Sequence, residues 1–120
     1  HVYRIDYHQK SITLSVGSRY FEYASGSFAR TRFSTPLELL LMNNSSKLLV
    51  TDKDNRIRTL ALASSTSSFI CYEGGHRDGS GSGCYVDQPS ALTVIRNTLY
   101  IGEYQRIRSI QGSKNANSFK

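Results

Sequence analysis

Apolar and polar positions change over at short, regular intervals along this chain of 120 residues. Runs of branched aliphatic and aromatic side chains alternate with clusters of Asn, Asp, Ser and Gly, at the spacing of roughly 8–12 residues expected of an all-β domain. The segments that carry the pattern are Val2 to Tyr7, Ser11 to Val16, Leu37 to Leu41, Leu48 to Thr51, Arg56 to Leu62, Ser68 to Tyr72, Ala91 to Ile95, Thr98 to Gly102 and Arg106 to Ile110. Between them stand Asn43-Asn44-Ser45-Ser46, Asp52-Lys53-Asp54-Asn55, Ala63 to Ser67, Ser80-Gly81-Ser82-Gly83 and Arg96-Asn97. These residue types accept positive φ or bond their own backbone, so they read as turns and loops.

One segment is ambiguous on propensity. Leu37-Glu38-Leu39-Leu40-Leu41-Met42 is made of good helix formers. An internal repeat decides it. Asn55-Arg56-Ile57-Arg58 returns as Gln105-Arg106-Ile107-Arg108, a shift of 106 − 56 = 50 positions, and Pro36 returns as Pro89, a shift of 89 − 36 = 53. The counterpart of the leucine run is then Ser90-Ala91-Leu92-Thr93-Val94-Ile95, which is β-branched and too short for a helix. Equivalent units share one structure, so both are expected to be buried strands.

A period near 50 residues also says something about architecture, because a unit of that size cannot bury its apolar face alone and is covered by the next one. The full pattern starts with a Gly-Ser or Gly-Gly opening and a small-Gly-Ser stretch. Pro and an apolar strand follow, then a second strand ending in Asp or Glu, then Asn/Gln-Arg-Ile-Arg. Its first copy runs through Gly17-Ser18, Ser25-Gly26-Ser27-Phe28-Ala29-Arg30, Phe33-Ser34-Thr35-Pro36, Leu48-Leu49-Val50-Thr51-Asp52 and Asn55-Arg56-Ile57-Arg58. The second runs through Gly74-Gly75, Arg77-Asp78-Gly79-Ser80-Gly81, Asp87-Gln88-Pro89, Leu99-Tyr100-Ile101-Gly102-Glu103 and Arg106-Ile107-Arg108. This resembles the NHL repeat, the blade unit of NHL β-propellers, and Val2 to Asp6 with Ser11 to Gly17 looks like the outer strands of a preceding blade. Ser25-Gly26 stands where the family usually has Asp-Gly, Glu103 where it usually has Asp, and the stretch from Gly112 to Lys120 matches nothing well.

The resemblance implies an all-β fold of four-stranded antiparallel blades in an incomplete ring. Residues 1–16 would be a partial blade, 17–73 the first full repeat, 74–111 the second and 112–120 a tail. A propeller closes with four to eight blades, so about two and a half cannot close and leave unpaired strand edges exposed. The missing blades are expected either from a longer chain or from other copies, three copies giving a six-bladed ring; the start at His1 rather than Met fits a processed product or an excised piece.

Charge narrows the partner. The chain has formal net charge +6 and pI near 9.6, but no run of like charges. In an up-and-down blade, the loops entering the first strand and those joining the second to the third share one face. That face is expected to carry Arg19, Arg30, Arg32, Lys53, Arg56, Arg77 and Arg106 beside Glu22, Asp52, Asp54, Asp78, Asp87 and Glu103. Such a mixture is not the phosphate-tracking stripe that nucleic-acid affinity needs. Some NHL domains bind RNA, and Arg19-Tyr20-Phe21 with Tyr23, Arg30 and Arg32 offers stacking and pairing groups for single-stranded bases, so RNA stands as an alternative partner. The repeated Arg58 and Arg108 are expected to be structural, their stems over apolar neighbours and their guanidiniums on carboxylates or carbonyls of the next blade.

Candidate chemistry is sparse. His1, His8 and His76 share no face, no serine has a spaced His and acid, and Gly79 to Gly83 lacks the Lys and helix of a phosphate loop. No catalytic, metal or cofactor residue is therefore assigned. The candidate ligand-binding residues are Arg19, Tyr20, Arg30, Arg32, Lys53, His76, Arg77 and Tyr104. Cys71 and Cys84, 84 − 71 = 13 positions apart, admit either a disulfide stapling the Gly/Ser loop or two buried free thiols. Asn43 and Asn44 head overlapping glycosylation acceptors, which point to a secreted or cell-surface protein without excluding a cytoplasmic one. No apolar run approaches the roughly 18 residues of a membrane span. The function expected is a non-enzymatic module that shows its loop face to a protein or glycan, the alternative being part of a larger metal-dependent propeller lyase or hydrolase.

Overall fold

The computed structural model describes residues 1–17, 26–42, 46–53, 55–70, 72–73 and 85–111. They form strands only. In order these are β1 (Val2–Asp6), β2 (Ser11–Val16), β3 (Gly26–Ser27), β4 (Pro36–Leu41), β5 (Lys47–Asp52), β6 (Arg56–Ala61), β7 (Thr66–Phe69), β8 (Tyr72–Glu73), β9 (Tyr85–Val86), β10 (Ala91–Ile95), β11 (Thr98–Gly102) and β12 (Ile107–Gln111). Strands β4 to β7 make an antiparallel up-and-down meander, extended at its outer edge by β3 in the order β3-β7-β6-β5-β4. Strands β10, β11 and β12 repeat its first three strands, β1 and β2 form a hairpin, and the two-residue strands β8 and β9 pair in parallel. No helix of the described residues is long and apolar enough to cross a membrane.

Period-two alternation gives the five-stranded sheet two apolar faces, and each is covered. On one, Leu49, Ile57 and Met42 pack against Leu92, Leu99 and Ile101 of the β10–β12 sheet. On the other, Val50 and Leu60 pack against Val2 and Val16 of the β1–β2 hairpin, with Phe28 and Phe33. The sheets are thus layered, with the five-stranded one in the middle. Among strands of different sheets, β4 and β10 approach most closely, so the layers are nearest at their first strands. Gly17, at φ 123°, closes β2 where the chain passes under its own start, and an added Cβ would lie 3.0 Å from His1 Cα.

The expected segments return as strands with small changes of boundary, and two expectations need correction. The outer strand predicted over Ser68 to Tyr72 runs over Thr66–Phe69, since Ser67 pairs with Leu60 across the sheet. The leucine strand is not buried. As the edge strand of its sheet, β4 turns Leu40 inward to the core while Leu37, Leu39 and Leu41 stay exposed. Likewise β10 buries Leu92 but exposes Ala91, Thr93 and Ile95. A continuous leucine run imitates a strand covered on both faces, and here one face of β4 lies bare. Replacing Leu39 by Thr is accordingly expected to move the melting midpoint little, within about 0.5 kcal/mol of wild type; a loss comparable to a core deletion in a thermal melt would show that β4 is covered.

The repeated arginines hold their sheets together. Arg58 is fully buried, its Nε donates to Asp52 Oδ2 at 3.2 Å, and its guanidinium lies 5.3 Å from the centre of the Phe33 ring. Asp52 also accepts the Thr35 amide at 2.6 Å on Oδ1 and the Ser34 amide at 3.0 Å on Oδ2. Arg108 repeats the plan, its Nη1 donating to Glu103 Oε1 at 3.3 Å and to the Tyr85 carbonyl. Both arginines are structural, as expected, but these contacts lie within their own repeats rather than in the next one. The partner carboxylate stands at the end of the adjacent strand of the same sheet, Asp52 as the last residue of β5 and Glu103 just after β11, within reach of the guanidinium.

Candidate functional site

Where the second strand turns into the third, both repeats bring their connections to one edge of the stack. Between them lies a cleft of about 690 Å3, lined by Thr35, Leu37, Lys53 and Asn55 of one repeat and by Gln88, Pro89, Ser90, Glu103 and Tyr104 of the next. Its size is in the range of small-ligand sites. Each wall has a local cause. The Lys53 amide donates to the Thr35 carbonyl at 3.0 Å, and the Tyr104 amide to the Asp87 carbonyl at 3.4 Å, so each turn is tied to the loop entering its own first strand.

A hydrogen bond crosses the seam. Asn55 Oδ1 accepts the Gln88 amide at 2.9 Å, and both residues hold left-handed backbone conformations, φ 64° and 47°. Asn tolerates that region well and Gln less so, which marks Gln88 as a position held by its surroundings. The equivalent amide in the first repeat, that of Thr35, is satisfied within its own repeat by Asp52. The second repeat has instead delegated this contact to its neighbour. Sequence reasoning missed Asn55 and Gln88; the only signal available was the Asp-Lys-Asp-Asn turn itself, whose last residue suits positive φ.

The charges of this edge sort differently from their count in the sequence. Asp52 and Glu103 are buried under it and paired to Arg58 and Arg108. Lys53 and Arg106 are exposed, and Asp87 is half-buried. The balance among the described residues is therefore shifted toward positive charge, beside a Tyr104 ring that is 67% exposed. Such a surface can stack an apolar or sugar face on Tyr104, hydrogen-bond through Thr35, Asn55, Gln88 and Ser90, and attract an anionic group to Lys53.

Of the candidate residues, Lys53 and Tyr104 meet in the cleft. Arg30 does not join them. The Arg30 and Thr31 amides donate to the Ser27 carbonyl at 2.9 and 3.0 Å, and Thr31 Oγ1 shares a 2.6 Å hydrogen bond with Ser67 Oγ. Ser27 pairs with Thr66 beside the β6–β7 turn, so Arg30 sits at the opposite edge of the sheet from Lys53. Arg32 is half-buried in the segment that runs back from there to Ser34 and does not line the cleft. Arg19, Tyr20, His76, Arg77, Cys71, Cys84, Asn43 and Asn44 lie outside the described residues. Among the described residues, no three His, Cys, Asp or Glu side chains come together as a metal site. Comparison with protein-family models found no match, and comparison with curated proteins found none either.

Proposed function

We propose that the chain is a non-enzymatic binding module, built of NHL-type propeller blades, that presents the cleft edge to a protein or glycan partner. One observation carries this reading: equivalent loops of consecutive repeats converge on a polar cleft with an exposed aromatic ring and an exposed lysine, while their carboxylates are turned inward into structural pairs. The blade arrangement is supported by the up-and-down meander, its partial duplication and the approach of β4 to β10. Loops on a rigid β scaffold are where binding function concentrates.

The test uses two probes, a glycan array and an immobilised peptide library. A ligand found on either is expected to lose at least roughly tenfold in affinity with Tyr104→Ala and with Lys53→Glu. Both side chains are solvent-facing, so the melting temperature should stay put. Ligands indifferent to both substitutions, or no binding to either probe, would refute the proposal. An RNA ligand would be recognised by affinity that falls steeply as salt rises.

A further inference from the structure

The two interfaces between the sheets are made the same way. Call the face of the middle sheet that carries Leu49 and Ile57 its front, and the face that carries Val50, Leu60 and Arg58 its back. The repeat aligns Val50 with Ile101, Leu60 with Ile110 and Arg58 with Arg108, and Ile101 and Ile110 belong to the core shared with the front of the middle sheet. So the β10–β12 sheet lays its back on the middle sheet's front. The hairpin β1–β2 obeys the same rule from the other side, laying Val2 and Val16 on the middle sheet's back. Front on back is the rule at both seams.

The two ends of the stack are the two halves of a third such seam. At one end is the front of the β10–β12 sheet. Tyr100 and Ile107 stand there in the places of Leu49 and Ile57, yet they are 37% and 80% exposed where their counterparts are 2% and 0%. The side chains on this face, from Ala91, Thr93 and Ile95 across to Ile107, Ser109 and Gln111, include no charged group. A shallow hollow of about 220 Å3 lies in it around Gly102, where an added Cβ would come within 3.1 Å of Ala91 Cβ. At the other end is the back of the hairpin, where Tyr3, Ile5 and Ile12 are 50%, 66% and 61% exposed, again without a charge among them. A solvated sheet face normally carries charged side chains; these faces carry none, and uncharged patches with exposed Tyr and Ile side chains mark interaction surfaces.

We infer that these faces are the two sides of a head-to-tail interface between copies of this chain, the hairpin back of one copy seated on the β10–β12 front of the next. A second copy is the fitting occupant because one chain carries both sides, a front at one end and a back at the other. The contact is heterologous, so it propagates into a ring or an open stack rather than stopping at a symmetric pair.

Sedimentation equilibrium over a wide concentration range tests this with two surface variants, Ile107→Asp for the front and Ile5→Asp for the back. Wild type is expected to exceed its monomer mass of 13.5 kDa progressively as concentration rises. Each variant alone should associate at least roughly 100-fold more weakly, since a carboxylate is then buried without a partner. An equimolar mixture of the two should recover dimers and nothing larger, because only one intact seam can form between them. Unchanged circular dichroism would show that both variants fold. Wild type that stays at 13.5 kDa at every concentration would overturn the inference, by showing that some other partner covers these faces. A single variant that still dimerises as wild type does would overturn it too, by showing a symmetric contact.

Discussion

Replacing Asp52 by Ala is expected to destabilise the chain by about 3–5 kcal/mol, the range found when one member of a buried ion pair is removed. The carboxylate serves three donors at once: the Arg58 guanidinium and the amides of Ser34 and Thr35. Without it, a fully buried cation remains beneath Phe33, and two backbone amides at the start of β4 lose their acceptor. Nothing nearby offers the water that would soften the loss for an exposed pair. Urea unfolding should show the midpoint falling at unchanged slope. The contrast with Arg108→Ala makes the test sharper. The Arg108 side chain is partly exposed where that of Arg58 is not, so its removal is expected to cost less, even though it leaves the Glu103 carboxylate buried. Equal losses in the two variants would mean that burial does not set the strength of these pairs.

Cutting Leu49 to Ala is expected to cost about 2–5 kcal/mol and to act unequally on the two sheets it joins. Leu49 is central to the front of the middle sheet, in the core it shares with Leu92, Leu99 and Ile101. The middle sheet has a second core behind it, with Val50, Leu60, Val2 and Val16. The β10–β12 sheet has its hydrophobic core on this one face only. A cavity at Leu49 therefore weakens the docking of β10–β12 more than it weakens β5 and β6. In amide hydrogen exchange, β10 to β12 should lose protection before β5 and β6 do. Uniform loss across all the strands would show that the stack unfolds as one cooperative unit.

Much of this architecture was legible because alternation and turn chemistry agree along the chain. The boundaries of β2, β10 and β11 coincide with the sequence segments, and each ends at residues with an independent reason to turn. The strands that were missed are short and depend on distant partners. Gly26–Ser27 carries no strand pattern, and it becomes a strand because β7 offers an edge and Ser67 Oγ receives the Gly26 amide at 3.2 Å. Burial was less legible than strand formation. The leucines of β4 announce an apolar strand, but which of them meet a neighbouring sheet depends on the neighbour's extent, and a two-stranded hairpin leaves Leu39 and Leu41 uncovered.

The candidate site was legible in the same uneven way. Lys53 and Tyr104 come together because they follow the second strand at matching places in successive repeats, which the repeat itself foretells. Arg30 looked equally well placed, yet hydrogen bonds among Ser27, Thr31 and Ser67 carry it to the far edge, and no local pattern encodes a bond across 67 − 31 = 36 positions. Counting charges also does not tell which of them are buried. Asp52 and Glu103 are paired to arginines beneath the surface, although Glu103 still lines the cleft wall.

The hydrogen bond from the Gln88 amide to Asn55 makes the cleft edge a pivot. Rocking of the two sheets that pulled the cleft walls apart would have to break that tie, whereas separation at the far ends, near the Arg96-Asn97 hairpin, would not. The partner proposed for Tyr104 and Lys53 would thus meet a surface that is already shaped, and little of its binding energy would go into ordering the site.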